Sequence, residues 1–318
     1  MTSIQKYAAI VMAAATVTAC STDPKTVTTN DFGAKAAALY TQLPDISHCK
    51  SGTLSEEEKK KAVSTLNEIR KLHGLEPVAY DYASDNEVME SSLIFAANGT
   101  ISHQPQETLK CYSKNGTTGA SESNIGGGPI GNIAFKTTPD DITSWLTEST
   151  NTISNNVGHR RFMLNPFLNR VAYGRVTSKF KDYVYTNGSA MKVVYDNTVA
   201  ATNTASNTII AYPFQEYPAK FFDSKSLLSA SILIDNTNFW NNKNVDFSKA
   251  QIKAIARGEG PVAIKNVSTD NAYFGLPNNI QFSIPDLAPE KTYDIEIDNV
   301  SINGVQKNIS YWFKVASK

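Results

Sequence analysis

Cysteine and histidine are both scarce: three cysteines and four histidines in 318 residues. So few cysteines exclude a disulfide-dense scaffold and a thiolate-rich metal fold. Charge of one sign is also missing, since Lys+Arg and Asp+Glu both number 30. With no basic stripe and no RNA-binding motif, nothing steers the chain to nucleic acid. No apolar run is long enough to span a bilayer. Neither HExxH nor GxSxG occurs, so the sequence carries no zincin helix and no nucleophile elbow. Charged residues make up only 19% against 41% hydrophobic, the balance of an exported globular protein rather than a disordered one.

The N-terminus, "MTSIQKYAAIVMAAATVTACS", has one lysine, Lys6, then a short apolar run ending in Val17-Thr18-Ala19-Cys20. That layout reads as a signal sequence. Small residues before a cysteine resemble a bacterial lipobox, in which Cys20 would be lipidated, become the new N-terminus and anchor the protein to a membrane of the cell envelope. Cys49 and Cys111 are then an even pair in an oxidising compartment, and a disulfide between them is expected.

Residues 21–50 read as a tether with one short helix around Ala34 to Leu43. The first strong element follows: Ser55-x-x-Glu58 forms a capping box, and Val63, Leu66, Ile69 and Leu72 recur at helical spacing before Gly74. A second helix covers Ser84 to Ala97, closed by Asn98-Gly99. A third lies in "TTPDDITSWLTES", with Asp140 or Asp141 near its start. "NRVAYGRV" and "DYVYTNGSAMKVVYD" are strand-like, the latter a hairpin candidate around Asn187-Gly188. The polar break from Asp196 to Thr208 marks a boundary, beyond which period-two alternation replaces helical spacing. There Tyr293, Ile295 and Ile297 should face Ile309, Tyr311 and Phe313 across an Asn303-Gly304 turn. The expected architecture is α+β over 51–199 and a smaller all-β, immunoglobulin-like sandwich over 205–318, after a signal peptide at 1–19 and a lipidated tether at 20–50.

Two histidines sit at element ends among acidic residues. His103 lies in "NGTISH", Glu122 in "GASESNIGG", Glu148 in "WLTE" and His159 in "GHRR". Together with "LNEIRKLHGLEPVAYD", these motifs come in the order and approximate spacing of the CAP superfamily: the cysteine-rich secretory, venom-allergen and plant pathogenesis-related proteins. The resemblance runs over roughly residues 55–195 and has the form of the bacterial members. It implies an α–β–α sandwich whose central cleft is lined by His103, Glu122, Glu148 and His159. It also implies that Asn67 and Arg70 on the first helix bond internally. The family commonly has Gly-Glu-Asn where this chain reads Ser121-Glu122-Ser123-Asn124.

Two imidazoles and two carboxylates in one cleft would suit a divalent cation such as Zn²⁺. Without metal, each carboxylate would hydrogen-bond an imidazole and fix its orientation. Arg160 and Arg161 suit either an anionic ligand at the cleft mouth or, more plainly, solvated surface or an ion pair across the fold. His48 and His73 carry no partner signal.

The reading is therefore an envelope-anchored lipoprotein whose cleft binds a divalent metal or a small extracytoplasmic ligand, whether peptide, glycan or lipid. The alternatives are a metal-dependent hydrolase with Glu122 or Glu148 as general base beside His103 and His159, and a structural envelope spacer.

Overall fold

The computed structural model describes residues 29–130, 134–150, 157–180, 183–196, 199–201, 204–206 and 208–317. The signal sequence and Cys20 lie outside these. The first unit holds α1 (Thr29–Ala37), β1 (Tyr40–Gln42), β2 (Thr53–Leu54), α2 (Glu56–Leu72), β3 (Ala79–Tyr80), α3 (Asp85–Asn98), α4 (Lys114–Ser121), β4 (Ser123–Ile130), α5 (Thr138–Thr147), α6 (Gly158–Met163), β5 (Arg170–Phe180) and β6 (Tyr183–Lys192). None of the described helices is long and apolar enough to cross a membrane.

Its central sheet has the order β3-β5-β6-β4, with β4 at an edge. Helices α3 and α4 cover one face; α2 and α5 lie on the other. Helices α2 and α5 start at side-chain caps. Ser55 Oγ accepts the Glu58 N–H at 3.3 Å, capping α2. The expected return bond from Glu58 is replaced, because its buried carboxylate turns to the Thr138 hydroxyl and to Lys61. The reciprocal capping box instead opens α5, between Thr137 and Asp140. Arg70 is fully buried and donates to the carbonyls of Glu76, Met163, Asn165 and Leu168, while Asn67 brackets the Val78 peptide. Both act inside the fold, as the resemblance implies.

Residues 31–50 do not behave as a tether. Phe32, Ala36, Leu39 and Ile46 are buried, and the Tyr40 hydroxyl bonds the Arg175 carbonyl and the Thr177 N–H of β5. Helix α1 also starts five residues before the expected Ala34. The Cys49–Cys111 disulfide is present and ties this segment to the loop before α4.

The hairpin expected at Asn187-Gly188 is displaced. Strand β6 runs straight through that dipeptide, and β5 pairs with it up to Phe180↔Tyr183. Gly188 is needed for another reason: a Cβ there would lie 2.2 Å from the Ser92 carbonyl oxygen, because α3 crosses the sheet at this point. A turn-forming dipeptide and a close-packing glycine look identical in sequence.

The second unit is β-rich: β7 (Thr208–Tyr212), β8 (Gln215–Tyr217), β9 (Leu228–Leu233), β10 (Val245–Asp246), β11 (Gln251–Ala256), β12 (Gly260–Val262), β13 (Lys265–Thr269), β14 (Ile280–Ser283), β15 (Thr292–Ile302) and β16 (Val305–Val315). One sheet has the order β12-β11-β15-β16-β8 with β10 beside β15; the other is β13-β14-β9-β7. Their inner faces share one cluster that includes Ile232, Phe282, Ile295 and Phe313. The β15–β16 hairpin turns at Asn303 (φ 49°) and Gly304 (φ 79°), as expected. Its register pairs Tyr293 with Phe313, Ile295 with Tyr311 and Ile297 with Ile309.

The two units share a core. Tyr212, Tyr217, Phe239 and Leu276 of the second belong to the same buried cluster as Ile69, Met163 and Phe167 of the first. His73, which carried no signal in the sequence, is buried in this seam with Nε2 3.2 Å from the Tyr217 hydroxyl.

Candidate functional site

A cavity of about 300 Å³ opens between edge strand β4 and helices α5 and α6. Its lining includes the Gly126–Gly128 backbone, Ile125 and Trp145 on one side, and Glu148 and His159 on another. Trp145 is fixed by donating its indole N–H to the Ile125 carbonyl at 3.1 Å. That bond ties α5 to the sheet edge and sets one wall.

Glu148 closes α5 in a left-handed conformation (φ 51°), its N–H bonded to the Ser144 carbonyl. Its side chain is only 2% exposed. One oxygen, Oε1, accepts the Arg160 backbone N–H at 2.8 Å, in the first turn of α6, and Oε2 lies 3.5 Å from His159 Nδ1. The α6 amide group thus orients the carboxylate that faces the imidazole. Asn124, buried on β4, donates to the His159 carbonyl at 3.0 Å and secures the same turn from the sheet side. His159 keeps 24% of its side chain exposed, enough to meet a ligand.

The other two expected members are placed differently. His103 Nδ1 is 2.8 Å from the Ala120 carbonyl, so that nitrogen carries the proton and donates. Glu122 pairs with Lys192 at 2.7 Å, and Lys192 also pairs with Glu87. Neither His103 nor Glu122 belongs to the cavity lining. Glu148 and His159 thus stand together on the cavity wall, while His103 is held through Nδ1 by a main-chain carbonyl and Glu122 through one oxygen by a lysine. Among the described residues no group of three or more His, Cys, Asp and Glu side chains is placed to hold a metal ion.

Arg160 and Arg161 do not reach the cleft mouth. Arg160, 1% exposed, donates to the carbonyls of Leu146 and Thr147 in the first unit, and to the Leu227 carbonyl and Ser229 hydroxyl in the second. Its guanidinium lies 3.8 Å from the Tyr212 ring centroid. Arg161 pairs with Asp270 at 2.7 Å and donates to the carbonyls of Ala272 and Leu276. Burial lowers the pKa of both arginines. Arg161 makes an ion pair across the fold, Arg160 reaches the same unit through hydrogen bonds and a ring contact, and the two arginines clamp the β unit.

Sequence reasoning passed over Asn124, Trp145, the Gly126–Gly128 wall, Lys136 and Arg175 as cavity or supporting residues. The glycine run was the one visible hint, since it precedes no helix and so needs another use.

A three-layer α–β–α unit with a histidine–carboxylate pair beside an edge-strand cavity defines the class of this part of the chain. Residues 63–195 match the family model described as CAP, the cysteine-rich secretory protein family, and this supports a CAP superfamily domain over that segment. No curated protein matches the sequence.

Proposed function

We propose that the cavity beside His159 and Glu148 binds a small organic ligand, a peptide, glycan or lipid fragment, and that the protein presents this cleft while anchored to the cell envelope through lipid on Cys20. The carrying observation is the cavity itself: about 300 Å³ with an oriented histidine–carboxylate pair at one end and bare glycine backbone along a sheet edge. Ligand sites are typically concave and mostly apolar, with a few fixed polar groups, and this cavity has that make-up. An edge strand adds backbone groups that no neighbouring strand occupies, which suits an extended ligand.

A hydrolase with a serine nucleophile in the cavity finds less support. Ser144 lines the cavity, yet its hydroxyl donates to the Asp141 carbonyl at 2.7 Å and so is not paired with His159. The C-terminal unit is read as an immunoglobulin-like sandwich that stiffens the cleft from behind.

Titrating peptides and cell-wall fragments into wild-type protein and into His159→Ala and Glu148→Gln, with binding and hydrolysis followed together, tests the proposal. Binding in the parent, weakened about tenfold in both variants, supports it. Turnover abolished in both variants would make the protein an enzyme instead. Absence of binding and turnover, with an envelope defect on deletion, would favour a spacer. For the anchor, Cys20→Ser should move the protein from the membrane to the soluble fraction.

A further inference from the structure

We propose that the C-terminal unit carries a second binding site, an aromatic corner formed by Trp240 and Tyr273, and that its ligand is an oligosaccharide. Neither residue lines the cavity, so the proposal does not rest on the cleft reading.

Trp240 and Tyr273 are each 54% exposed, and their rings meet with centroids 5.0 Å apart and planes at 70°. A single exposed apolar side chain needs no explanation, but two large aromatic rings held together in water do. They come from separate segments: Trp240 from the 3₁₀ helix Phe239–Asn244 that follows β9, and Tyr273 from the connection between β13 and β14.

Both segments are fixed from beneath. Asn242 is fully buried; its Oδ1 accepts the N–H groups of Ile234 and Asp235, and its Nδ2 donates to the carbonyls of Asp235, Asn238 and Phe239. Asn238 Oδ1 accepts the Trp240 N–H at 2.9 Å. Phe239 is buried in the core shared by the two units, against Phe167. On the other side Arg161 holds Asp270, Ala272 and Leu276, which bracket Tyr273, while Phe274 packs on Phe162 of α6. Gly275 is required there: its φ is 73°, and a Cβ would lie 2.1 Å from the Arg161 carbonyl oxygen. The supports are buried and fully bonded while the two rings face water. Folding has thus already met the ordering cost of a recognition surface.

The surroundings select a sugar. Residues 234–244 and 270–279 expose no large aliphatic side chain, so the pair lacks the apolar core of a protein interface. Exposed amides stand there instead: Asn238 and Asn241 flank Trp240, and Asn271 precedes Tyr273. The carboxylates of these segments are engaged, Asp235 by Thr237, Asn238 and Asn241, and Asp270 by Arg161. Lys243 follows Trp240 by three residues, the eclipsed position of a 3₁₀ turn, and adds a cation. The charge pattern therefore suits a neutral or weakly anionic ligand and disfavours a cationic one. Two faces at 70° cannot both lie against one flat surface. A pyranose chair fits such a corner, with its C–H face on a ring and its hydroxyls toward the amides.

Neutral and acidic glycans share that chemistry, and calorimetric titration of the full chain separates them. The probes are chitohexaose and cellohexaose, which are neutral, and hexagalacturonate and peptide-free peptidoglycan strands, which are acidic. At least one should bind. Trp240→Ala and Tyr273→Ala should each weaken that binding about tenfold, and Trp240→Phe should retain more affinity than Trp240→Ala. Both alanine variants should melt within about 2 °C of wild type, because the rings are exposed. Trp240 emission gives a second reading in the unmodified protein, with the Trp145 and Trp312 background taken from Trp240→Phe; bound sugar should shift it. Acidic probes favoured by a margin that Lys243→Gln removes would mark an acidic glycan, and equal binding a neutral one. No binding by any of these glycans, or binding that survives both ring substitutions, overturns the proposal. Sugar binding that falls in His159→Ala but persists in both ring variants belongs to the cavity, so it removes the corner and supports the cleft. Glycans that fail to bind while Trp240→Ala changes the sedimentation of the protein would make the pair a protein contact and end the proposal.

Discussion

Arg160→Met tests how the two units are joined. The substitution keeps an unbranched side chain but removes four donated bonds, to Leu146 O at 2.6 Å, Thr147 O at 3.0 Å, Leu227 O at 2.6 Å and Ser229 Oγ at 3.1 Å. Each buried acceptor left unpaired costs about 1–3 kcal/mol. Opposing this, burial disfavours the charged guanidinium, as its lowered pKa indicates, and several kcal/mol of desolvation are recovered when the charge is removed. The difference should be a loss of roughly 3–5 kcal/mol, the usual result when one side of a buried charged network is deleted. At this chain length that corresponds to a melting temperature lowered by roughly 10 °C. Because two of the four acceptors lie in the β unit, the variant should also lose cooperativity, with one calorimetric transition becoming two. The cleft should loosen with it, since the Arg160 N–H holds Glu148. Differential scanning calorimetry and urea unfolding read both effects. A loss under about 1 kcal/mol with a single unchanged transition would refute the clamp.

Two further outcomes follow from buried positions. Burial holds the His73 ring at a pKa of about 3 against an ordinary 6.5, so it stays neutral in the fold while the unfolded chain takes up a proton. Its contribution is intact above pH 6.5 and is lost as pH falls toward 3, by about 1.4 kcal/mol per pH unit. His73→Gln should flatten the fall in urea-unfolding stability between neutral and mildly acidic pH; an unchanged slope would contradict this. Gly188→Ala would place a Cβ 2.2 Å from the Ser92 carbonyl and 2.8 Å from Phe95 Cβ, so α3 or β6 must shift. A loss of about 1–3 kcal/mol is expected by chemical denaturation, and a neutral result would mean that α3 does not pack as described.

The sequence alone determined the features whose physics is local. Local signals placed α2, α3 and α5: an N-cap side chain decides the start of α2 and α5 within one turn, and the left-handed Gly99 closes α3. Alternation and an Asn-Gly turn fixed the β15–β16 register down to the Tyr293–Phe313 pair. Parity selected the Cys49–Cys111 disulfide. Motif order identified Glu148 and His159, which the fold brings to one cavity.

What tertiary structure decided is which partner each polar side chain finds. Arg160 and Leu227 are 67 positions apart, and nothing within a few residues of "GHRR" records that a second unit will cover it. Glu122 went to Lys192, and His103 to the Ala120 carbonyl, for the same reason: a charged or hydrogen-bonding group takes the best neighbour that packing delivers. The glycine at 188 and the incomplete hydrogen bonding of Arg175 are equally invisible in the chain. One depends on how closely a helix crosses a sheet, and the other on which acceptors fail to arrive. Such distances exist only once the layers have been stacked.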